Sequence, residues 1–220
     1  MAGNPPRICA AVVNSDLDAL NDIEQLVDLF EVRIDLIGKG WRKVAARLKK
    51  PWIACNRPAE EGGVWEGDEN ARLKELRRAV ELGADIIDIE LAAPDVEKIV
   101  NELKGRVECL VSYHNLKETP PLDKLRQIVI NQLAVGAGIC KVVTTARSFA
   151  DNLAVLQLIT EFTETNIISF AMGAPGQLSR VLSPLVGGYL TYASVGEGKE
   201  SAKGQMTARN LRDIYRMLNR

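Results

Sequence analysis

Lys141 stands in Gly138-Ile139-Cys140-Lys141-Val142-Val143, a run that is otherwise apolar. Such a run has the composition of a strand buried on both faces, as in a parallel sheet covered by helices. A lysine there is costly, because an unpaired buried ammonium loses far more solvation than a buried leucine contributes. Two readings follow. Lys141 closes the strand and snorkels to solvent, or it is desolvated so that its amine is neutral often enough to attack a carbonyl. A lysine with a pKa of about 10.4 is about 0.04% neutral at pH 7. At a pKa of roughly 8 the neutral fraction is about 10%, a change worth about 3.3 kcal/mol. Ile139, Val142, Met172 and nearby arginine charge are the expected sources of that lowering.

A neutral amine forms an imine with a ketone, and the iminium accepts the electrons of a carbanion at the adjacent carbon. A proton must then be moved, and His114, the chain's one histidine, follows the apolar stretch just upstream of the lysine's strand. Glu31 and Arg33 are two residues apart, as are Asp88 and Glu90, so each pair shares a strand face. Arg57 and Glu61 lie before Gly62-Gly63, and Arg180 follows Met172-Gly173 on the next helix. Arg33, Arg57 and Arg180 are candidates for a substrate carboxylate or for hydroxyls. Each feature also has a plainer reading: the carboxylates and Arg33 as interior ion pairs, the histidine as a structural one. Their convergence at one end of successive strands favours a pocket for a polar, anionic substrate. No His/Cys/Asp cluster has metal-ligand spacing, so neither a metal nor another cofactor is expected.

The elements that must position these residues read as strands over 8–13, 30–35, 51–55, 86–91, 107–113, 138–143, 167–171 and 189–193. Between them, Ser15 caps a helix whose apolar face is Leu17, Leu20, Ile23, Leu26 and Val27. Further helices are expected over 41–48, over 69–82 between Asp68 and Gly83, and from about 94. The remaining ones are expected after Pro120-Pro121 to 135, over 148–162 with a capping box at Ser148 and Asp151, over 177–185, and over 208–217 behind Thr207. Strand and helix alternate eight times, which argues an α/β fold, a (β/α)8 TIM barrel formed as a single domain over 1–220. An open doubly wound sheet is the rival, but the first turn, Val13-Asn14-Ser15-Asp16, lacks its glycine-rich phosphate loop. In a barrel the site lies at the C-terminal strand ends, where these polar residues fall.

Charge is balanced, with 28 basic and 29 acidic residues, so no nucleic-acid or membrane partner is expected. Cys9, Cys55, Cys109 and Cys140 lie in separate apolar stretches and read as reduced core residues of a cytoplasmic protein. The N-terminus lacks a signal-peptide pattern, and no apolar run reaches membrane-spanning length.

The chain resembles the type I 3-dehydroquinate dehydratases, Schiff-base enzymes of the shikimate pathway. The resemblance is carried by Glu31-Val32-Arg33-Ile34-Asp35, by Arg57-Pro58-Ala59-Glu60-Glu61-Gly62-Gly63, by Asp88-Ile89-Glu90 and by Val111-Ser112-Tyr113-His114-Asn115. Cys140-Lys141-Val142, Met172-Gly173, Ser179-Arg180 and Ser201-Ala202-Lys203-Gly204-Gln205 complete it. It implies that Lys141 forms the imine, that His114 is general base and then general acid, and that Glu61 orients His114. It further implies that Arg180 holds the substrate carboxylate with Ser201 and Gln205 closing over it. Glu31, Arg33 and Arg57 would hold ring hydroxyls, and Met172 would line the pocket. The reaction implied is loss of water from 3-dehydroquinate to give 3-dehydroshikimate, by a homodimer. The chain departs from the family pattern at Asn115, Leu116 and Lys203, in the pocket lining and the lid.

A class I aldolase also uses a barrel lysine but needs a phosphate site after strands seven and eight. A non-catalytic barrel binding a similar ligand would need neither Lys141 nor His114. The glycine-rich, charged segment 195–204 is expected to be a mobile lid at the catalytic mouth.

Overall fold

A computed structural model describes residues 5–218. Eight parallel strands run β1 (Ile8–Val12), β2 (Leu29–Arg33), β3 (Trp52–Cys55), β4 (Ile86–Glu90), β5 (Glu108–His114), β6 (Ile139–Thr145), β7 (Ile167–Met172) and β8 (Thr191–Ser194). From β1 to β7 each strand pairs with its sequence neighbour, and β8 returns to pair with β1. The remaining seam, between β7 and β8, carries one bond: the Tyr189 N–H donates to the Ile167 carbonyl at 2.7 Å. The result is a nearly closed barrel.

The intervening helices are α1 (Leu17–Ile23), α2 (Ile34–Ile37), α3 (Trp41–Ala45), α4 (Glu69–Glu81), α5 (Val96–Leu103), α6 (Leu122–Ala134), α7 (Asp151–Glu161), α8 (Gln177–Leu182) and α9 (Ala208–Leu218). Strands covered in this way are buried on both faces, which is why their sequences read as continuous apolar runs. One face points into the barrel, where Cys9, Leu29, Ile53, Leu110, Ile139 and Ile168 form an apolar plug. The other packs on the helices, as Val142 does against Leu125, Val129 and Leu158.

Several boundaries differ from expectation for identifiable reasons. The α1 cap is Asp16 and not Ser15, because the Asp16 carboxylate accepts from the Ala19 N–H at 3.2 Å. The second strand stops at Arg33, and residues 34–37 turn helical, so that Asp35 folds back onto the Arg33 guanidinium. The helix expected from 94 starts at Val96, behind Asp95 in a left-handed conformation. Asp151 heads its own helix and accepts from the Arg147 and Ser148 N–H groups, so only the backward half of the capping box forms. The segment expected as one helix over 177–185 divides into α8 and a 3-10 turn at Ser183–Val186. Asp68 and Thr207 cap as expected, accepting from Ala71 and Asn210. Gly83 closes α4 with φ of +90°, a conformation open to glycine at a helix end.

Candidate active site

Strand register decides which polar residues meet. Glu90 is paired with Ser112, Ser112 with Lys141, and His114 with Val143. Cys55 is level with both Arg33 and Asp88, and Tyr192 is level with Cys9. In parallel strands paired residues share a face, so these side chains all enter the barrel, Cys9 within its apolar plug and the polar ones above it.

Lys141 is 4% exposed, so it does not snorkel. Its Nζ donates to Asp88 Oδ2 at 2.8 Å and to Glu31 Oε1 at 3.3 Å. It also donates to the Tyr192 hydroxyl at 3.1 Å and lies 4.3 Å from the centre of that ring. Burial pushes the amine pKa down, but the Asp88 and Glu31 carboxylates push it up and prevail, leaving it above the ordinary value. This corrects the expected lowering. Val142 faces the helices and cannot desolvate the amine, and the arginine charge of Arg57 is outweighed by two carboxylates. Burial also opposes ionisation of Asp88, yet Arg57 and Lys141 hold its carboxyl well below the usual range.

His114 Nδ1 lies 2.8 Å from Glu61 Oε2. Burial, with the charges of Arg57 and Lys141, holds the imidazole pKa well below its ordinary value, so the ring is neutral. Burial and the neighbouring Glu90 and Asp88 carboxylates push Glu61 up to about 7, against Arg57. An Nδ1 proton shared with Glu61 leaves the lone pair of a neutral ring on Nε2, the arrangement a general base requires.

Arg57 joins the two arms. Its guanidinium meets Asp88 at 2.6 Å, Glu90 at 2.8 Å, Glu61 at 3.6 Å and the Ser112 hydroxyl at 2.7 Å. Arg33 is held in a fork by Asp35 at 2.9 and 2.7 Å. Arg180, carried by α8, is different. It is 2% exposed, it stacks 4.4 Å above the Phe170 ring, and its Nε and Nη2 have no hydrogen-bond partner among the described residues. Burial lowers its pKa to about 10. A buried guanidinium with free donors is a site for a carboxylate. Beside it, Gln205 Oε1 accepts from the Ser201 N–H at 2.8 Å and from its hydroxyl at 3.2 Å.

A family model described as Type I 3-dehydroquinase matches residues 8–220. This chain belongs to that family. Members of the type I 3-dehydroquinase family are hydro-lyases, and this chain is one of them. A 3-dehydroquinate dehydratase from Dehalococcoides mccartyi (strain CBDB1) is 40% identical over 215 residues, covering 98% of this chain and 96% of its own. The bifunctional 3-dehydroquinate dehydratase/shikimate dehydrogenase of Arabidopsis thaliana is 36% identical over 96% of this chain and 37% of its own length. Among solved structures, the 3-dehydroquinate dehydratase of Geobacillus kaustophilus HTA426 superposes with a TM-score of 0.86 at 27% identity, covering 100% of this chain and 93% of its own. A deoxyribose phosphate aldolase from Aeropyrum pernix, at 16% identity, covers 96% of this chain and 90% of its own, and shares only the fold, with a TM-score of 0.63.

In this family member, the ten residues given catalytic or binding roles from the sequence border one pocket: Lys141, His114, Glu61, Glu31, Arg33, Arg57, Arg180, Ser201, Gln205 and Met172. Asp88 and Glu90, also expected there, do not line it and are instead buried in ion pairs with Lys141 and Arg57. The pocket also takes in Cys55, Leu116, Val143, Phe170, Tyr192 and Ala202. Cys55, expected as a core residue, is thus part of the lining, and burial pushes its thiol pKa above the ordinary range. Tyr192 carries no signal in the sequence, because its inward direction follows only from register with β1. Donor atoms of Glu31, Cys55 and Asp88 lie within 4.8 Å of one another, a grouping that residue spacing did not suggest. The Lys141 ammonium already occupies the two carboxylates.

The segment expected as a loose lid has definite ties. The Gly173 N–H donates to the Lys203 carbonyl at 3.1 Å, and Lys199 pairs with Asp16 at 2.6 Å.

Proposed function

We propose that the chain removes water from 3-dehydroquinate to give 3-dehydroshikimate through an imine on Lys141. The observation that carries this is the shared pocket. A buried amine and a carboxylate-oriented neutral imidazole border it, and so does a buried guanidinium with free donors.

Arg180 binds the substrate carboxylate, with Ser201 and Gln205 over it, while Glu31, Arg33 and Arg57 face the ring hydroxyls and Met172 lines the wall. Lys141 gives up a proton and attacks the ketone, whose oxygen leaves as water to form the iminium. Asp88 and Glu31, which hold the ammonium, hold the iminium cation equally well, so the site is organised in advance for positive charge on that nitrogen. His114 takes a proton from the carbon beside the iminium, and the electrons move into it to form an enamine. The enamine expels the neighbouring hydroxyl, which leaves as water with the proton from His114. Water then hydrolyses the iminium, restoring the amine and releasing the unsaturated ketone. The balance is one water lost per turnover, with no cofactor and no metal.

The proposal extends to a single catalytic domain over 1–220, acting as a cytoplasmic homodimer without nucleic-acid or membrane partners. The four buried free cysteines support the compartment. No described helix is long and apolar enough to cross a membrane.

The test is borohydride added together with 3-dehydroquinate. It should inactivate the enzyme and add one reduced ligand mass to the peptide containing Lys141, while Lys141→Ala stays folded and unlabelled. An adduct on another lysine refutes the assignment. Product absorbance distinguishes dehydration from aldol cleavage, and EDTA should leave the rate unchanged. His114→Ala should still be trapped yet turn over about 10²–10⁴-fold more slowly.

A further inference from the structure

Arg72 is 1% exposed although it belongs to α4, a helix of the outer layer. Its Nε and Nη2 donate to the two oxygens of Glu69 at 2.7 and 2.8 Å. Its Nη1 donates to the Asn56 carbonyl at 2.9 Å, immediately before Arg57, and lies 2.7 Å from Glu90 Oε2. On the other side of that carboxylate, Glu90 Oε1 lies 2.8 Å from Arg57. Neither contact of Glu90 is an aligned hydrogen bond. Two guanidinium charges therefore flank this buried carboxylate. The reaction above uses neither Arg72 nor Glu90 directly.

We infer that Arg72 is a positioning residue: by keeping Glu90 an anion, it fixes Arg57 between the lysine arm and the histidine arm of the site. The inference rests on the dehydratase reading only for its readout in activity.

Glu90 is faced by Arg57 from the end of β3, Arg72 from α4, Asp88 from its own strand and Glu61 from the loop after β3. Three carboxylates thus share Arg57. Asp88 has Lys141 as a second cation and Glu61 has His114 as a hydrogen-bond partner, whereas Glu90 has Arg72. Burial already raises the Glu90 carboxyl pKa against both arginines. Without Arg72 it keeps only a share of one guanidinium, and a buried carboxylate so weakly compensated takes up a proton. A neutral Glu90 releases Arg57 and stops pushing Glu61 up. The proton shared by His114 and Glu61, which is also faced by Arg57, Lys141, Asp88 and Arg33, is then lost at lower pH.

His114 is the chain's one histidine, so its imidazole resonances in tag-free protein report that titration without substrate. Arg72→Met should move the midpoint down by about one pH unit, the order of one buried neighbouring charge. Glu90→Gln, which imitates the protonated carboxyl, should move it equally, and the double variant no further. Arg72→Lys keeps the charge and should titrate like the wild type. In dehydratase assays the acid limb of kcat should follow the same shifts. A midpoint that stays put or rises in Arg72→Met overturns the inference, as does an Arg72→Lys shift as large as that of Arg72→Met. If Arg72→Met does not fold, an unshifted Glu90→Gln overturns it alone. A wild type unable to dehydrate 3-dehydroquinate would defeat the functional reading, while the resonance titration would still judge Arg72.

Discussion

Asp88 Oδ2 lies 2.8 Å from Lys141 Nζ and 2.6 Å from the Arg57 guanidinium, so a single carboxylate oxygen serves two buried cations. Asp88→Asn leaves both cations undercompensated. Breaking a buried ion pair from one side costs about 3–5 kcal/mol, and urea unfolding at pH 7 should show a loss of that order. The Asp88 pKa is depressed in the folded state, so its contribution is present above the unfolded value and lost as pH falls through the folded one. The variant should therefore show less of the wild type's acid-induced loss. Its Lys141 amine should titrate at lower pH, read from the pH dependence of acetylation at that residue. An unchanged acetylation midpoint would mean that Asp88 does not hold the ammonium.

The Glu61–His114 pair makes a signed prediction about pH. Glu61 is raised from 4.5 to about 7, so across that window the folded state keeps a proton the unfolded state has lost, and stability falls as pH rises. His114 is lowered from 6.5, so below that value the unfolded state binds the extra proton, and stability rises with pH. The two slopes oppose each other in the wild type. Glu61→Gln removes the first and leaves the second. Between pH 5 and 6.5 its stability should climb with pH more steeply than the wild type's, by up to about 1.4 kcal/mol per pH unit for one proton. Parallel profiles for the two proteins would contradict the assigned shifts.

Arg180 sets stability against function. Its Nε and Nη2 are buried without partners among the described residues, and each such group costs about 1–3 kcal/mol. Arg180→Met keeps a flexible contact to Phe170 and removes the buried charge. The ligand-free variant should gain about 1–3 kcal/mol in urea unfolding. Substrate KM should rise roughly 100-fold, since a forked charge-assisted pair is lost. A less stable variant with an unchanged KM would remove Arg180 from the carboxylate site.

How far the sequence discloses this arrangement differs between elements. Strands buried on both faces announce themselves as apolar runs, so their number, order and parallel sense are legible, and Lys141 stands out inside one of them. Partnering is much less legible. Lys141 takes Asp88 and Glu31, 53 and 110 residues away, because barrel closure sets those encounters. Arg33 takes Asp35, since the chain turns helical at Ile34 where the sequence reads as continuing strand. The direction of the Lys141 shift is hidden for the same reason: residue spacing offers apolar neighbours, while register delivers carboxylates. Arg72 is hidden more deeply, since an arginine on a helix ordinarily reads as solvated.

Gly204 shows how one glycine lets the segment after β8 pack against the end of β7. Gly204 has φ of +78°, and a Cβ placed there would lie 2.5 Å from the Gly173 carbonyl oxygen and 2.9 Å from its carbon. Next to it, the Lys203 carbonyl accepts from the Gly173 N–H, so the segment after β8 meets the end of β7 backbone to backbone. Only a residue without a side chain fits there. Gly204→Ala must push the two backbones apart and adopt a strained φ, which lifts Ser201 and Gln205 from above the pocket. The barrel itself is untouched, because Ser194 still pairs with Thr207 beyond the loop. Unfolding stability should therefore fall by no more than about 1–3 kcal/mol, the size of one local strain. KM should rise several-fold, and trypsin should cleave after Lys199 or Lys203 faster than in the wild type. Product should slow that cleavage in the wild type and much less in the variant. If Gly204→Ala instead keeps the wild-type KM and the wild-type protection by product, close backbone contact at Gly173 is not what closes the lid.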